Sequence, residues 1–262
     1  MIIHSSIGYS GRLGNQMFQY ATLKALSLEL GYEAYLPDHT SIKQDGCYDF
    51  TNSKYIPYRL ELQDHFNISL DVIKHPNVDK VYKENTFGYN PDIFDIEDGT
   101  EIEGYFQSYK YFHKYREEIL KDFTFKKYGR ERLISDTNMV SIHVRRGDYV
   151  SHPGFHTLDV EYYTKALEEH FSDKEYMFLV FSDDTQWCKN VFGEGFVFVE
   201  NQTPIEDLYL MSGCTHHIIA NSTFSWWGAY LSRGEVKVIA PNKWYTDNRS
   251  LNDLYLPDWI RL

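Results

Sequence analysis

The second half of the chain alternates between short apolar segments and amphipathic segments, and this pattern restricts the fold more than any other feature. Between residues 139 and 240, apolar runs of strand length alternate with stretches of helical periodicity. Tyr176–Phe181 is apolar throughout, as expected for a strand buried on both faces. Regular strand–helix alternation predicts an α/β fold with a parallel sheet. Such sheets bind ligands at the carboxyl ends of their strands, so we expect functional residues directly after the strands.

Capping residues help to set the element boundaries in this half. Asp184 is placed to cap a helix, and Thr203 and Glu206 can form a capping box with Pro204 at the first helical position. The predicted strands cover residues 139–145, 176–181, 196–199, 217–220 and 236–240, and the predicted helices cover 159–171, 184–192, 204–212 and 223–232.

The first half opens with a strand–helix–strand unit and then becomes irregular. Gly31 ends the predicted helix, and residues 38–98 have no pattern that assigns them. The charged stretch 126–131 is the best candidate for a domain boundary, so we expect domains over residues 1–130 and 131–262. The elements predicted here are strands at 2–7, 33–36 and 100–106, and helices at 13–30 and 109–123.

Charge and cysteine content exclude several classes of protein. The formal net charge of −12 argues against binding to nucleic acid or to an anionic membrane surface. The three cysteines are odd in number and widely spaced, which suggests neither a disulfide framework nor a zinc site. We find no apolar run long enough for a transmembrane segment and no signal peptide. We therefore expect a cytoplasmic protein, and the sequence leaves open peripheral association at the inner face of the membrane.

Two adjacent arginines follow the first predicted strand of the second half. His143 and Arg145 share the polar face of this strand, and Arg146 and Asp148 lie in the loop that follows. A guanidinium group binds two phosphate oxygens at once and stays charged, so this position suits a phosphate ligand. Surface ion pairs with Asp148 and nearby glutamates are an equally good interpretation of the pattern.

Polar residues also follow two other predicted strands. Of Asp183 and Asp184, one can cap the next helix, which leaves the other to accept hydrogen bonds from a guanine edge; alternatively, both stabilise the turn. Thr223 and Ser225 begin a helix whose first N–H groups can bind an anion, although simple capping is more common.

The first loop, from Gly11 to Gln16, overlaps the start of the predicted helix and carries Arg12 and Asn15. It has neither the three glycines of a dinucleotide-binding loop nor the Lys-Ser/Thr of a P-loop. Spacing alone predicts only a tight turn with an exposed arginine.

Five segments of the chain resemble, in order, signature segments of the α-1,2-fucosyltransferases, glycosyltransferase family 11. The third is similar to a segment found more widely, in α-1,6- and O-fucosyltransferases. The segments are GRLGNQMFQYA at 11–21, GYFQS with KYF at 104–112, HVRRGDY at 143–149, SDD at 182–184 and NSTFSWWGA at 221–229.

The resemblance implies a GT-B-like fold of two Rossmann-like domains, with the donor in the cleft and mainly on the C-terminal domain. Residues 1–130 would then be the acceptor side, and 131–262 would bind the GDP-sugar. It also implies that no metal or other cofactor is needed, GDP-fucose being the donor substrate. Animal members carry a membrane anchor that this sequence lacks, so the chain resembles a bacterial, cytoplasmic form.

The resemblance also implies roles for individual residues. Arg145 would hold the β-phosphate, with Arg146 supporting the local geometry, and His143 and Asp183 would contact guanine. Thr223 and Ser225 would meet the phosphates. Arg12 and Asn15 would reach the fucose–diphosphate region from the N-terminal domain.

The implied reaction moves L-fucose to the 2-hydroxyl of a galactose-terminated glycan with inversion. A general base would assist, and Asp148, His152 and His156 are candidates in the loop after the arginines. Two alternatives remain at this stage. One is a fucosyltransferase of another linkage or a transferase using another GDP-sugar, and the other is a non-catalytic carbohydrate-binding protein that uses the abundant aromatic side chains.

Overall fold

The computed structural model describes residues 1–38, 59–128, 138–247 and 249–262, and the backbone of 46–49 and 54–57. The chain forms two compact units, one of Met1–Gly129 with Asn252–Leu256 and one of Arg130–Leu251 with Pro257–Leu262. Among the helices of the described ranges, none combines the length and the apolar character needed to cross a membrane.

The first unit contains a five-stranded parallel sheet and a separate two-stranded antiparallel hairpin. Its elements are β1 (Ile2–His4), α1 (Leu13–Leu30), β2 (Ala34–Pro37), β3 (Gly46–Asp49), β4 (Lys54–Pro57), α2 (Leu62–His65), β5 (Asp71–Ile73), β6 (Lys80–Lys83), β7 (Thr100–Glu103) and α3 (Arg116–Asp122). The strand order of the large sheet is β5-β2-β1-β7-β6. Strands β2 and β5 therefore lie on one side of β1. The later strands β6 and β7 lie on the other side, with β7 beside β1.

Helix α1 has the bounds that the sequence predicts. It ends where Gly31 takes a left-handed conformation with a φ of 71° and donates its N–H to the carbonyl of Ser27. Glycine adopts this conformation without steric cost, which explains why the helix stops there. The helix is buried over most of its length, including Met17 and Phe18, so it forms the centre of this unit's core.

The predicted helix over 109–123 is wrong in its first half. Two 3₁₀ turns, Tyr109–Tyr111 and His113–Tyr115, precede α3. Phe112 leaves the helical conformation with a φ of −136°, and its buried ring packs against Phe18 at 5.8 Å between ring centroids. Because tertiary packing of this ring outweighs the local helical pattern, only the last two turns form an α-helix.

The second unit is a six-stranded parallel sheet with helices between its strands, as the alternating pattern predicts. Its elements are β8 (Met139–Val144), α4 (Val160–His170), β9 (Met177–Ser182), α5 (Thr185–Phe192), β10 (Phe196–Phe198), α6 (Pro204–Gly213), β11 (His216–Ile218), α7 (Thr223–Tyr230), β12 (Lys237–Ala240) and β13 (Ile260–Arg261). The predicted caps are confirmed at Asp184, whose carboxylate accepts the N–H of Trp187, and in the capping box of Thr203 and Glu206.

The strand order β10-β9-β8-β11-β12-β13 places the topological switch point of this sheet between β8 and β11. The chain runs outward from β8 through β9 to β10, then returns to the other side of β8. At such a point the two flanking loops diverge, and the crevice outside the carboxyl ends of the strands is open to a ligand.

Three fully or largely buried histidines should make the fold sensitive to acid. Burial lowers the pKa of His4 to about 4 and the pKa values of His143 and His217 to about 3. Between Ser141 and Ser232, His217 is bonded through both ring nitrogens, at 2.7 and 2.8 Å. Since unfolding restores an ordinary histidine pKa, the unfolded chain binds more protons below about pH 6.5.

We therefore expect the free energy of unfolding to fall as the pH drops below about 6.5, by up to ~1.4 kcal/mol per pH unit for each of these histidines. Urea denaturation at a series of pH values from 7.5 to 5.0 measures the slope. The substitution His217→Gln should remove about one such increment from it. An unchanged slope in this variant would contradict the assignment.

Candidate functional site

Arg145 lies directly after β8, and two carboxylates hold its guanidinium group. Nη1 donates to Asp183 at 2.6 Å, and Nη2 donates to Asp148. Asp183 follows β9, and its other oxygen accepts the backbone N–H of Arg146 at 2.9 Å. The ends of two neighbouring strands are thus joined through one carboxylate, which fixes Arg145 beside the switch point of the sheet.

Arg146 points toward helix α5. Its Nε donates to Asp184 at 3.1 Å, and its guanidinium carbon lies 4.2 Å from the centroid of the Trp187 ring. Asp184 caps α5 at the same time, through the N–H of Trp187 at 3.1 Å. The two arginines therefore have different surroundings, and Arg146 helps to hold the loop against α5.

Gly147 has no space for a side chain. A Cβ atom at this position would lie 2.5 Å from Oδ2 of Asp183, the oxygen that accepts the hydrogen bond from Arg145. The glycine in this segment is therefore required by the close approach of Asp183 rather than by an unusual backbone angle.

A column of aromatic rings supports the other side of Arg145. The guanidinium carbon lies 5.1 Å from the Tyr149 ring, which stacks on Phe155 at 4.2 Å with an interplanar angle of 9°. Phe155 in turn stacks on Tyr245 at 5.6 Å. The segment that contains Tyr245 thus supports the arginine loop, a contact between distant parts of the chain that the sequence analysis did not find.

Asn221 connects the same two segments through its side-chain amide. It is fully buried, and Nδ2 donates to the carbonyls of His156 and Trp244, each at 2.7 Å. In the sequence, Asn221 belongs to a signature segment but has no predicted role. Its position at the end of a predicted strand was the available signal.

His143 is buried beside the Phe224 ring, at 5.8 Å between centroids, and 6% of its surface is exposed. Burial and the positive charge of Arg145 lower its pKa to about 3, so the ring is neutral at physiological pH. Within the described part of the chain, its Nδ1 has no hydrogen-bond partner. A buried polar atom without a partner suggests that a ligand or water satisfies it.

The first residues of α7 have different exposures. Ser225 is 1% exposed, and its hydroxyl lies within hydrogen-bond distance of the carbonyls of Ala220 and Ser222. Thr223 is half-buried and begins the helix after the N-cap residue Ser222. Ser225 therefore packs into the end of β11, and Thr223 is the more accessible of the two predicted phosphate contacts.

Arg12 and Asn15 belong to the first unit. Arg12 is exposed at the start of α1, and Asn15 Oδ1 accepts a hydrogen bond from Gln107 at 3.0 Å. Gly11 has a φ of 89°, and a Cβ there would clash with the Asn15 amide. The tight turn at Gly11 therefore also brings the Asn15 side chain against the backbone of Gly11.

The three base candidates differ in their environment. Asp148 is paired with Arg145, whereas His152 is exposed and its Nδ1 accepts the N–H of Gly154 at 3.0 Å. The backbone of His156 is tied to Trp244 and Asn221. Across the ranges that the structure describes, no group of three or more His, Cys, Asp or Glu side chains is arranged to hold a metal ion.

Comparison with known proteins identifies the family. The family model described as glycosyl transferase family 11 matches residues 64–262. The chain belongs to glycosyl transferase family 11. Family membership confirms the enzyme class that the five signature segments predict, and it excludes the interpretation as a non-catalytic carbohydrate-binding protein.

Two curated members of the family are similar to the chain over nearly its whole length. An α-1,2-colitosyltransferase of Escherichia coli is 33% identical over 97% of this chain and 97% of its own. A galactoside 2-α-L-fucosyltransferase of Mus musculus, Sec1, is 29% identical over 97% of this chain and 73% of its own.

The solved structure of the fucosyltransferase NodZ from Bradyrhizobium has a similar fold. The TM-score is 0.55 at 13% sequence identity, and the match covers 88% of this chain and 93% of that one. At this identity the likeness shows the fold alone, and it confirms the predicted α/β architecture of the GT-B type.

Proposed function

We propose that this family 11 enzyme transfers L-fucose from GDP-fucose to the 2-hydroxyl of a galactose-terminated glycan, with inversion at the fucose anomeric carbon. The names of its relatives support the α-1,2 linkage, since they include a galactoside 2-α-L-fucosyltransferase and an α-1,2-colitosyltransferase. The observation that carries the proposal is the fixed guanidinium of Arg145 at the switch point between β8 and β11.

The site is suited to a nucleoside diphosphate once one carboxylate moves. Arg145 and Arg146 face Asp148, Asp183 and Asp184, so the cluster carries one excess negative charge before any ligand binds. Asp148 is the more exposed partner of Arg145, with 36% of its side chain accessible against 22% for Asp183. The diphosphate would displace Asp148 from Nη2, while Asp183 keeps Nη1 in place.

The reaction would be a single in-line displacement. The acceptor hydroxyl attacks the anomeric carbon of fucose as the bond to the β-phosphate oxygen breaks, and GDP leaves. Arg145 neutralises the charge that develops on the departing phosphate, a contribution that grows toward the transition state. His143 offers a neutral ring nitrogen to the nucleotide, and Thr223 offers a hydroxyl to its phosphates. Arg12 and Asn15 would contact the sugar and diphosphate.

Asp148, once displaced from Arg145 by the donor, is our candidate for the general base. Its carboxylate would then be able to accept the proton of the acceptor hydroxyl. Donor binding and activation of the base would be linked, because the same carboxylate cannot pair with Arg145 and accept the proton.

The variant Asp148→Asn separates the two parts of this role. We expect GDP to bind roughly two- to fivefold more tightly, because the neutral amide competes less well for Arg145. Turnover should fall by about 10²-fold or more, because the base is lost. Calorimetric titration with GDP and initial rates measure the two effects. Asp247→Asn, which removes an exposed partner of Arg249, is the control. Unchanged turnover would assign the base elsewhere.

Donor use and metal independence can be tested together. GDP at 100 times its dissociation constant should stabilise the protein by about 2.7 kcal/mol, which is visible as a higher melting temperature. Transfer from GDP-fucose to a galactoside should proceed equally well with a chelator present, since protein groups neutralise the leaving diphosphate. NMR of the product identifies the linkage. A product with another linkage, or a need for added divalent metal, would contradict the proposal.

Transfer of colitose is a second candidate, because the relative with 33% identity is named for it. Colitose lacks one hydroxyl group that fucose has, so a site that hydrogen-bonds this hydroxyl should prefer fucose strongly. The ratio of kcat/KM values for the two GDP-sugars distinguishes the candidates.

We propose that the enzyme acts in the cytoplasm of a bacterium. The support for the cytoplasm is the odd number of widely spaced cysteines, which favours a reducing compartment. Fractionation of the native cells tests this location.

A further inference from the structure

The segment 104–108 has an unusual backbone that the proposed donor chemistry does not explain. Gly104 has a φ of 156°, and Phe106 has a φ of 50°, although it is not a glycine. A residue with a large side chain in this region costs of order 1–3 kcal/mol and persists only where its surroundings impose it. The strained turn follows β7 directly, which shortens the strand predicted over 100–106 to Thr100–Glu103.

Polar side chains on both sides hold this turn. The carboxylate of Glu84 accepts the N–H groups of Tyr105 at 2.7 Å and Phe106 at 3.1 Å. The carbonyl of Gly104 lies 3.1 Å from the ring nitrogen Nε2 of His4 and accepts a hydrogen bond from Gln19, also at 3.1 Å. Burial raises the pKa of Glu84, and the two N–H groups oppose that change. Side chains from β1, from α1 and from the residue after β6 thus all contact the backbone of one turn.

The turn sends two neighbouring rings in opposite directions. Phe106 is fully buried and packs edge to face against His4 and Tyr111, each at 5.6 Å. Tyr105, the residue before it, is 43% exposed. An isolated exposed ring is common on protein surfaces, but this ring stands on a strained backbone that Glu84, His4 and Gln19 hold in place, so its position is preorganised.

Tyr105 also lies at the carboxyl edge of the sheet in the first unit. In the parallel order β5-β2-β1-β7-β6, β7 lies beside the central strand β1, and Tyr105 follows the carboxyl end of β7. Gln107, two residues further on, donates to Asn15 at 3.0 Å, so side-chain amides adjoin this edge. A rigid aromatic face next to amide groups suits a sugar ring, whose C–H face stacks on the aromatic ring while its hydroxyls bond to amides.

We infer that Tyr105 forms a stacking platform for a pyranose ring of the acceptor glycan, and that Glu84 is the positioning residue that holds it. The inference rests on the proposed glycosyl transfer and adds a part of the acceptor site to it. The platform belongs to the first unit alone.

The variant Tyr105→Ala tests the platform. We expect the KM for a galactoside acceptor such as N-acetyllactosamine to rise about tenfold, the range of one aromatic contact. The KM for GDP-fucose and the slow hydrolysis of GDP-fucose without acceptor should stay unchanged. Tyr105→Trp should preserve acceptor binding, because it keeps an aromatic face. Val72→Ala is the control, since Val72 is equally exposed, at 43%, on the edge strand β5.

Glu84→Ala keeps the Tyr105 side chain but removes the carboxylate that fixes its backbone, so it should also raise the acceptor KM while the donor KM stays the same. Glu84→Gln should partly restore acceptor binding, because one oxygen can still accept an N–H.

An unchanged acceptor KM in Tyr105→Ala overturns the inference. If the wild type transfers no sugar, the proposed function fails separately, and saturation-transfer NMR with N-acetyllactosamine still tests the platform: loss of the sugar signal in Tyr105→Ala supports it, and an unchanged signal overturns it.

Discussion

The variant Arg145→Ala should remain folded and lose nearly all sugar transfer, with kcat/KM lower by about 10³-fold or more. The guanidinium group directly follows β8 at the switch point of the six-stranded sheet, where Asp183 holds it from one side and Tyr149 lies against its face. In a displacement with GDP as leaving group, negative charge grows on the phosphate as the glycosidic bond breaks. Removal of the group that neutralises this charge therefore raises the barrier to transfer more than it weakens ground-state binding.

The fold should tolerate this substitution because Arg145 is not a core residue. Its side chain is 18% exposed, and Asp183 keeps the N–H of Arg146 as a partner after the change. Arg145→Lys should rescue little activity, since an ammonium group cannot bind Asp183 and a phosphate oxygen in the same fork geometry.

Rates with GDP-fucose and a galactoside measure the loss, and circular dichroism with thermal melting checks the fold. The control is Arg233→Ala, which removes an exposed arginine from the same unit. A folded Arg145→Ala enzyme with full activity would end the proposal that this residue carries the reaction.

The variant Gly147→Ala should lose activity by about 10²-fold without any change to a charged group, because misplacement of about 1 Å at a reacting group has this cost. The added methyl would lie 2.5 Å from Oδ2 of Asp183. Either the Asp183 carboxylate or the loop must move, and both hold Arg145. The effect should appear in kcat as well as in the affinity for GDP.

Gly154→Ala is the matched control for this prediction. It lies in the same loop, but its added methyl would meet only the exposed His152 ring, at 3.2 Å. Near-wild-type activity is expected there. Equal losses in both variants would show that the loop tolerates no side chains at all, and the argument from Asp183 would fail.

Local signals predict local structure well in this protein. Residue types within a few positions of each other predict the bounds of α1, the cap at Asp184 and the capping box at Thr203. The predicted helix over 109–123 fails where a distant residue intervenes, since Phe112 packs against Phe18. No local pattern assigns residues 38–98, because β5 and β6 are short strands that form only by pairing with β2 and β7.

The sequence by itself determined the α/β class, the family and the residues that we propose for the donor site, because periodicity, caps and signature segments are all local in the chain. Only the tertiary structure decided the partners of those residues. Asp183 binds Arg145 instead of remaining free, Ser225 turns inward, and Tyr245 supports the arginine loop through Phe155. The physical reason is that a parallel sheet brings together strand ends that are far apart in sequence, and strand order is set by packing between elements rather than within them.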